Sequence, residues 1–210
     1  MATPDTTAAS LQASESLVDL TCVRSNGSAR GTGIVLSPDG VVATNNHVVA
    51  RAVSISATDV GNGRQYPVVV LSSDPGKDIA VIRLVGATGL AVASLGNSDQ
   101  LRVGDRVTAL GNAGGRGGAP TVTTGAVIAL DRSIVSDDRK SHTSHRLRAM
   151  IEVSASIPPG DSGGALLGAA GVVGMNTAQG PHSGFAIPIN TVLTAVRAAG
   201  VGPAPQGSPG

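Results

Sequence analysis

Short runs of Val, Ile, Leu and Ala, each closed by Gly, Pro, Asn or Asp, recur through most of the chain. GTGIVLS (31–37) leads into the turn SPDG, and VVATNNHVV (41–49) follows it; ISATDV (55–60) and QYPVVVL (65–71) flank GNG. The second half repeats the style in DRVTALG (105–111), TVTTGAVIAL (121–130), AMIEVSAS (149–156), GALLG (164–168), GVVGMNTA (171–178) and GFAIPI (184–189). Branched side chains fit a pleated surface, and strands this short and regularly punctuated predict an all-β sandwich or barrel. Helical signals are confined to the two ends. Residues 10–18 carry helix formers behind Ser10. Val192, Leu193, Val196 and Ala199 share a helical spacing, with Asn190 placed to cap its start and Gly200 its end. Residues 131–149, DRSIVSDDRKSHTSHRLRA, break the pattern and are expected to form a long, mobile, solvated loop between two strands. Residues 1–9 and 201–210 are expected to be flexible tails.

Composition narrows this picture. The 210 residues are 41% hydrophobic but only 1% aromatic, so the core must be aliphatic. A net charge of +1 argues against a nucleic-acid partner, which would call for a basic stripe. No apolar stretch approaches the length of a membrane span, and no secretory signal stands at the N-terminus, as in a cytosolic protein or a mature form. Cys22 is the one cysteine, so no disulfide can close within the chain, and its apolar neighbours suit a small buried residue. His142 and His145 lie in the charged stretch without the further ligands a metal needs. LGNAGGRGGAP (110–120) lacks the Lys and Ser/Thr of a phosphate-binding loop. No metal or cofactor is expected.

Three segments carry candidate chemistry. In Gly160-Asp161-Ser162-Gly163-Gly164, glycine at 160 lets the chain turn so that the N–H groups of Gly160 and Ser162 can face one spot. A serine nucleophile needs such an oxyanion site, together with a base. His47, at a polar break after the strand signal Val41–Ala43, is the candidate base. Asp78, directly before the apolar run IAVIRL, is the candidate orienting acid, although an acid there also suits an ordinary turn. The order His, Asp, Ser is that of the chymotrypsin arrangement, with His47 and Asp78 in the first half and Ser162 in the second. Gly-x-Ser-x-Gly, the esterase elbow, is not matched. A protease-like binding protein with a latent site is the competing reading.

The chain resembles the HtrA/Deg-type branch of the trypsin-like serine proteases. The matching stretches are GTGIV, ATNNHVVA, KDIAVIRL, ASLGNSDQLRVGDRVTALGN, TVTTGAV, PPGDSGGALL, GVVGMNTA and GFAIPI, in family order. The resemblance implies two six-stranded antiparallel β-barrels, with a short helix before them and another after. Residues 10–93 would hold the first barrel and 94–200 the second, with the triad at their interface. It implies a serine endopeptidase acting on protein or peptide substrates, secreted or in the cell envelope. Ser156 would lie near the base of the primary pocket. Gly174, Met175, Asn176 and Thr177 would pair with substrate backbone, and Phe185 would form another wall. With no acid evident at the pocket base, cleavage after small or medium apolar residues is expected. Members usually carry a PDZ domain after the protease, whereas this chain ends in a Pro/Gly stretch, so the protease domain alone is expected. Its N-terminus lacks the aromatics that support family trimers, which favours a monomer. Ser154 stands where members carry an acid, and Asp161 where many carry Asn.

Overall fold

The computed structural model describes residues 4–112, 120–138, 143–180 and 182–203. Among the described residues, twelve strands form two closed, antiparallel six-stranded barrels, as the resemblance implied. Barrel one comprises β1 (Leu17–Arg24), β2 (Gly27–Val35), β3 (Val41–Thr44), β4 (Ser54–Asp59), β5 (Gln65–Asp74) and β6 (Ile79–Leu84), in the order β1-β2-β3-β6-β5-β4. Barrel two comprises β7 (Arg106–Gly111), β8 (Thr121–Asp138), β9 (Thr143–Val153), β10 (Ala165–Gly168), β11 (Gly171–Gln179) and β12 (Gly184–Pro188), in the order β10-β11-β12-β9-β8-β7.

The period of two along each strand builds the core in layers. On β3 and β6, Val42, Ala80 and Ile82 fill barrel one, while Val41, Ala43, Ile79 and Val81 join a second cluster outside it. That second cluster takes in Leu110, Leu147, Met150, Met175 and Ile187 from barrel two, so it welds the barrels together. Strands buried on both faces read as unbroken apolar runs, as IAVI does. Val107, Val127, Ile151, Val153, Leu166 and Val173 fill barrel two.

The helices differ from expectation at their edges. Helix α1 spans Pro4–Glu15, starting well before Ser10 and inside the stretch expected to be a tail. Pro at a helix start costs no hydrogen bond, and the run that follows holds good helix formers. α3 spans Ile189–Ala198, so Asn190 lies within it instead of capping it. The chain enters this helix directly from β12, and Ser98, in a 3-10 turn over Ser98–Gln100, accepts the Asn190 N–H at 3.2 Å. Gly200 does follow the helix, at φ 74°.

Residues 131–149 depart furthest from the expected solvated loop. Their described part, 131–138 and 143–149, is a paired extension of β8 and β9, with Ile134 opposite Leu147 and Asp138 opposite Thr143. Leu147 and Met150 are 1% and 2% exposed, and Ile134 packs against their cluster. Arg132 Nε pairs with Glu152 at 2.9 Å. Asp131, Arg132, Arg146 and Arg148 are exposed on this ribbon, while Leu147 and Met150 point into the core. His142 lies outside the described residues.

Candidate active site

The end of β3 and the start of β6 lie side by side, and their loops bring two distant side chains together. Asn45, fully buried, donates from Nδ2 to the Asp78 carbonyl at 3.0 Å, and the Asn46 N–H donates to the same oxygen at 3.2 Å. Asp78 sits at φ 56°, a conformation Asp tolerates better than most residues. The single-turn helix α2 (Asn46–Val49) then places His47 over Asp78. The His47 N–H donates to Asp78 Oδ1 at 2.9 Å, and Nδ1 lies 2.8 Å from Oδ2. A carboxylate at Nδ1 holds the proton there and leaves Nε2 as the basic nitrogen. The Asp78 side chain is 8% exposed and that of His47 43%, so the acid is sheltered while the ring meets solvent. Arg24 donates from Nη2 to the His47 and Val48 carbonyls at 2.7 and 3.1 Å, holding the C-terminal end of the short helix.

Barrel two supplies the other half. Thr177 Oγ1 donates to Asp78 Oδ2 at 2.6 Å, across the barrel interface. Ser162 Oγ donates to the Thr177 carbonyl at 3.2 Å and makes no hydrogen bond to His47. The nucleophile turn is built by residue type. The Asp161 N–H donates to the Pro158 carbonyl at 3.0 Å and Gly160 has φ 101°, which is a type II turn with Pro159 and Gly160 at its favoured positions. Gly163 is held at φ 86°, and a Cβ there would come within 2.0 Å of the Thr32 carbonyl. The N–H groups of Asp161, Gly163 and Gly164 all have backbone acceptors. Among the described residues, those of Gly160 and Ser162 have none. Two free donors, one on the candidate nucleophile itself and one two residues before it, are what an oxyanion requires.

The expected substrate-binding residues divide. Gly174, Met175 and Asn176 are buried and paired with β12 on one side, while Met175 and Gly174 pair with β10 on the other. Asn176 spends its side chain on the Leu110 and Ala165 carbonyls, at 3.0 and 3.3 Å. These three residues offer no free edge. β10 is only four residues long, so past Asn176 the strand β11 pairs with β12 alone. The open edge therefore begins at Thr177 and continues to Gln179. Gln179, which the sequence did not single out, accepts the Ile157 N–H at 2.5 Å and lies 3.4 Å from Ser156 Oγ. Ser156 is exposed beside it, and buried Ile157 lies within 2.6 Å of where a Gly184 Cβ would stand. Phe185 is half-buried, opposite Ala178 and Glu152. Ser154, at the position where an acid is usual, accepts the Ala126 N–H at 2.9 Å and so joins the loop to β8.

The chain belongs to the family of trypsin-like peptidase domains, whose pattern matches residues 31–175. It is 39% identical over 185 residues to the serine protease PepD of Mycobacterium tuberculosis, covering 78% of this chain and 39% of that protein. It is 39% identical over 172 residues to the periplasmic serine endoprotease DegP of Salmonella typhimurium, covering 78% of this chain and 34% of that one. The structure of the HtrA-type protease AlgW with a tripeptide matches at TM-score 0.79 and 33% identity, over 93% of this chain and 63% of that one. The HtrA/Deg-type resemblance thus holds, and the chain spans about a third to two-fifths of the relatives' length.

Proposed function

We propose that the protein is a serine endopeptidase with Ser162 as nucleophile, His47 as general base and acid, and Asp78 as the group that orients the imidazole. The observation that carries this reading is the His47–Asp78 contact, set beside a serine turn with two free N–H donors. Ser162 Oγ attacks the scissile carbonyl carbon while its proton passes to His47 Nε2. The carbonyl oxygen becomes an oxyanion held by the Gly160 and Ser162 N–H groups. Collapse of this intermediate breaks the C–N bond, and His47 returns the proton to the leaving amine. Water then attacks the acyl-enzyme by the same route and releases Ser162. Substrate backbone would pair with the open edge of β11 from Thr177 to Gln179. Ser156, Ile157 and Phe185 would bound a pocket for a small or medium apolar side chain. The names of the relatives point to an extracytoplasmic setting, with proteins or peptides as substrates.

A second reading has one observation in its favour. The Ser162 hydroxyl is bonded to the Thr177 carbonyl and not to His47, as in a latent site or a binding protein that retains protease residues. A fluorophosphonate probe separates the two. An active site labels Ser162 within minutes and cleaves casein; a latent one labels slowly or not at all. Ser162→Ala must abolish both signals.

A further inference from the structure

We infer that Thr32, on β2 of barrel one, is a positioning residue that holds the oxyanion turn of barrel two in its working shape. This rests on the protease reading above. Thr32 is fully buried and makes contacts with the turn from both its backbone and its side chain. Its N–H donates to the Ser162 carbonyl at 2.8 Å. Its hydroxyl donates to the Gly160 carbonyl at 2.9 Å and accepts the Asn112 N–H at 3.0 Å. Its own carbonyl accepts the hydroxyl of Thr44, the last residue of β3, at 2.6 Å, which anchors it within barrel one.

The order of peptide planes gives these bonds their meaning. The two oxyanion donors sit on the planes joining 159 to 160 and 161 to 162. The plane between them joins Gly160 to Asp161, and the Thr32 hydroxyl grips its carbonyl. The plane after them joins Ser162 to Gly163, and the Thr32 N–H grips that carbonyl. Each gripped plane shares a Cα with a donor plane, so holding it limits how far the donor planes can turn at residues 160, 161 and 162; the 161–162 plane is held on both sides. Glycine at 160 allows such a rotation cheaply, because it has no Cβ to oppose it. The turn's own bond from Asp161 N–H to the Pro158 carbonyl restrains one side of the middle plane; Thr32 restrains the other. The hydroxyl cannot turn away without cost, since the Asn112 N–H occupies its lone pair. Preorganised donors contribute to catalysis because no reorganisation is needed as charge develops. Thr32 would supply that preorganisation while touching neither substrate nor reacting atoms.

The test compares Thr32→Val with Thr32→Ser in the full chain. Valine keeps the shape and deletes the hydroxyl, whereas serine keeps the hydroxyl. Loss of one oxyanion donor outright costs about 10²- to 10³-fold in kcat, so loosening both should cost Thr32→Val on the order of 10- to 10²-fold. KM for a chromogenic peptide should stay within about threefold, because ground-state binding does not use the turn. Affinity for a peptide boronate, which forms the tetrahedral adduct, should fall in parallel with kcat. Thr32→Ser should recover most of the loss. Parent-level kcat in Thr32→Val would overturn the inference, as would a fall in kcat with boronate affinity intact. Equal losses in both variants, tracking their melting temperatures, would mean that Thr32 only stabilises the fold. A parent protein that neither cleaves nor labels would defeat the protease reading instead.

Discussion

The hydroxyl of Thr177 donates to Asp78 Oδ2 at 2.6 Å, and that same oxygen lies 2.8 Å from His47 Nδ1. One residue of barrel two therefore fixes the acid of barrel one, and its carbonyl receives the Ser162 hydroxyl. Thr177→Val deletes a hydrogen bond to a sheltered carboxylate, worth about 1.5–3 kcal/mol. We expect kcat to fall at least tenfold with KM little changed. Steady-state kinetics on one peptide, beside a thermal melt, checks this; an unchanged kcat would make the contact structural only.

Replacement of Ser162 by alanine should remove turnover, with a loss on the order of 10⁶ as in the subtilisin series. The side chain makes one hydrogen bond and is partly exposed, so the melting temperature should move by no more than a few degrees. Casein cleavage at the parent rate would show that the nucleophile lies elsewhere.

Specificity follows from the lining beside the serine turn. Ser156, Ile157 and Phe185 place no charge there, and burying an unpaired cation is costly. Peptides with Val, Ala or Leu before the scissile bond should be cut faster than those with Arg or Lys. A peptide-library profile dominated by Arg would sink this pocket assignment.

Much of this was legible in the sequence, for identifiable reasons. The apolar run 79–82 is a strand with one face in each of two cores, and GDSGG (160–164) is a turn whose glycines are needed for φ and clearance. Thr32 and Thr177 were not legible as supports, because a lone threonine in a strand looks the same whether it faces solvent or a distant carboxylate. The free edge at 177–179 depends on where β10 stops, which no residue signals. The ribbon of 131–138 and 143–149 reads as loop in the sequence because its described side chains are mostly exposed and polar. Its anchors, Ile134, Leu147 and Met150, are too few to show a period.

That ribbon gives a further prediction. Leu147 is 1% exposed within the cluster that joins the barrels. Leu147→Ala should destabilise the protein by about 2–5 kcal/mol, the range for a buried leucine. Hydrogen exchange on the parent should show protection at Ile134 and Leu147. Rapid exchange there, with an unchanged melt for the variant, would restore the picture of a solvated loop.

Far from the serine, a buried carboxyl makes stability depend on pH. Asp59, at the end of β4, is 1% exposed. Burial pushes its carboxyl above the ordinary carboxylate range, against the opposing hydrogen bonds from the Asn62 and Gly61 N–H groups. The Asn62 N–H meets Oδ1 at 2.8 Å. The fold therefore prefers the neutral acid more than the unfolded chain does. Its contribution to stability is fully present below the unfolded pKa of about 3.9 and is lost as pH rises through the higher folded value. Asp59→Asn keeps an acceptor for Asn62 and cannot ionise. Relative to this variant, the parent should lose stability as pH rises from about 4 to 7. Urea melts of both proteins across that range measure the difference. A gap that stays constant would mean Asp59 titrates normally, and one that moves in the parent's favour as pH rises would mean that its carboxylate is stabilised by the fold.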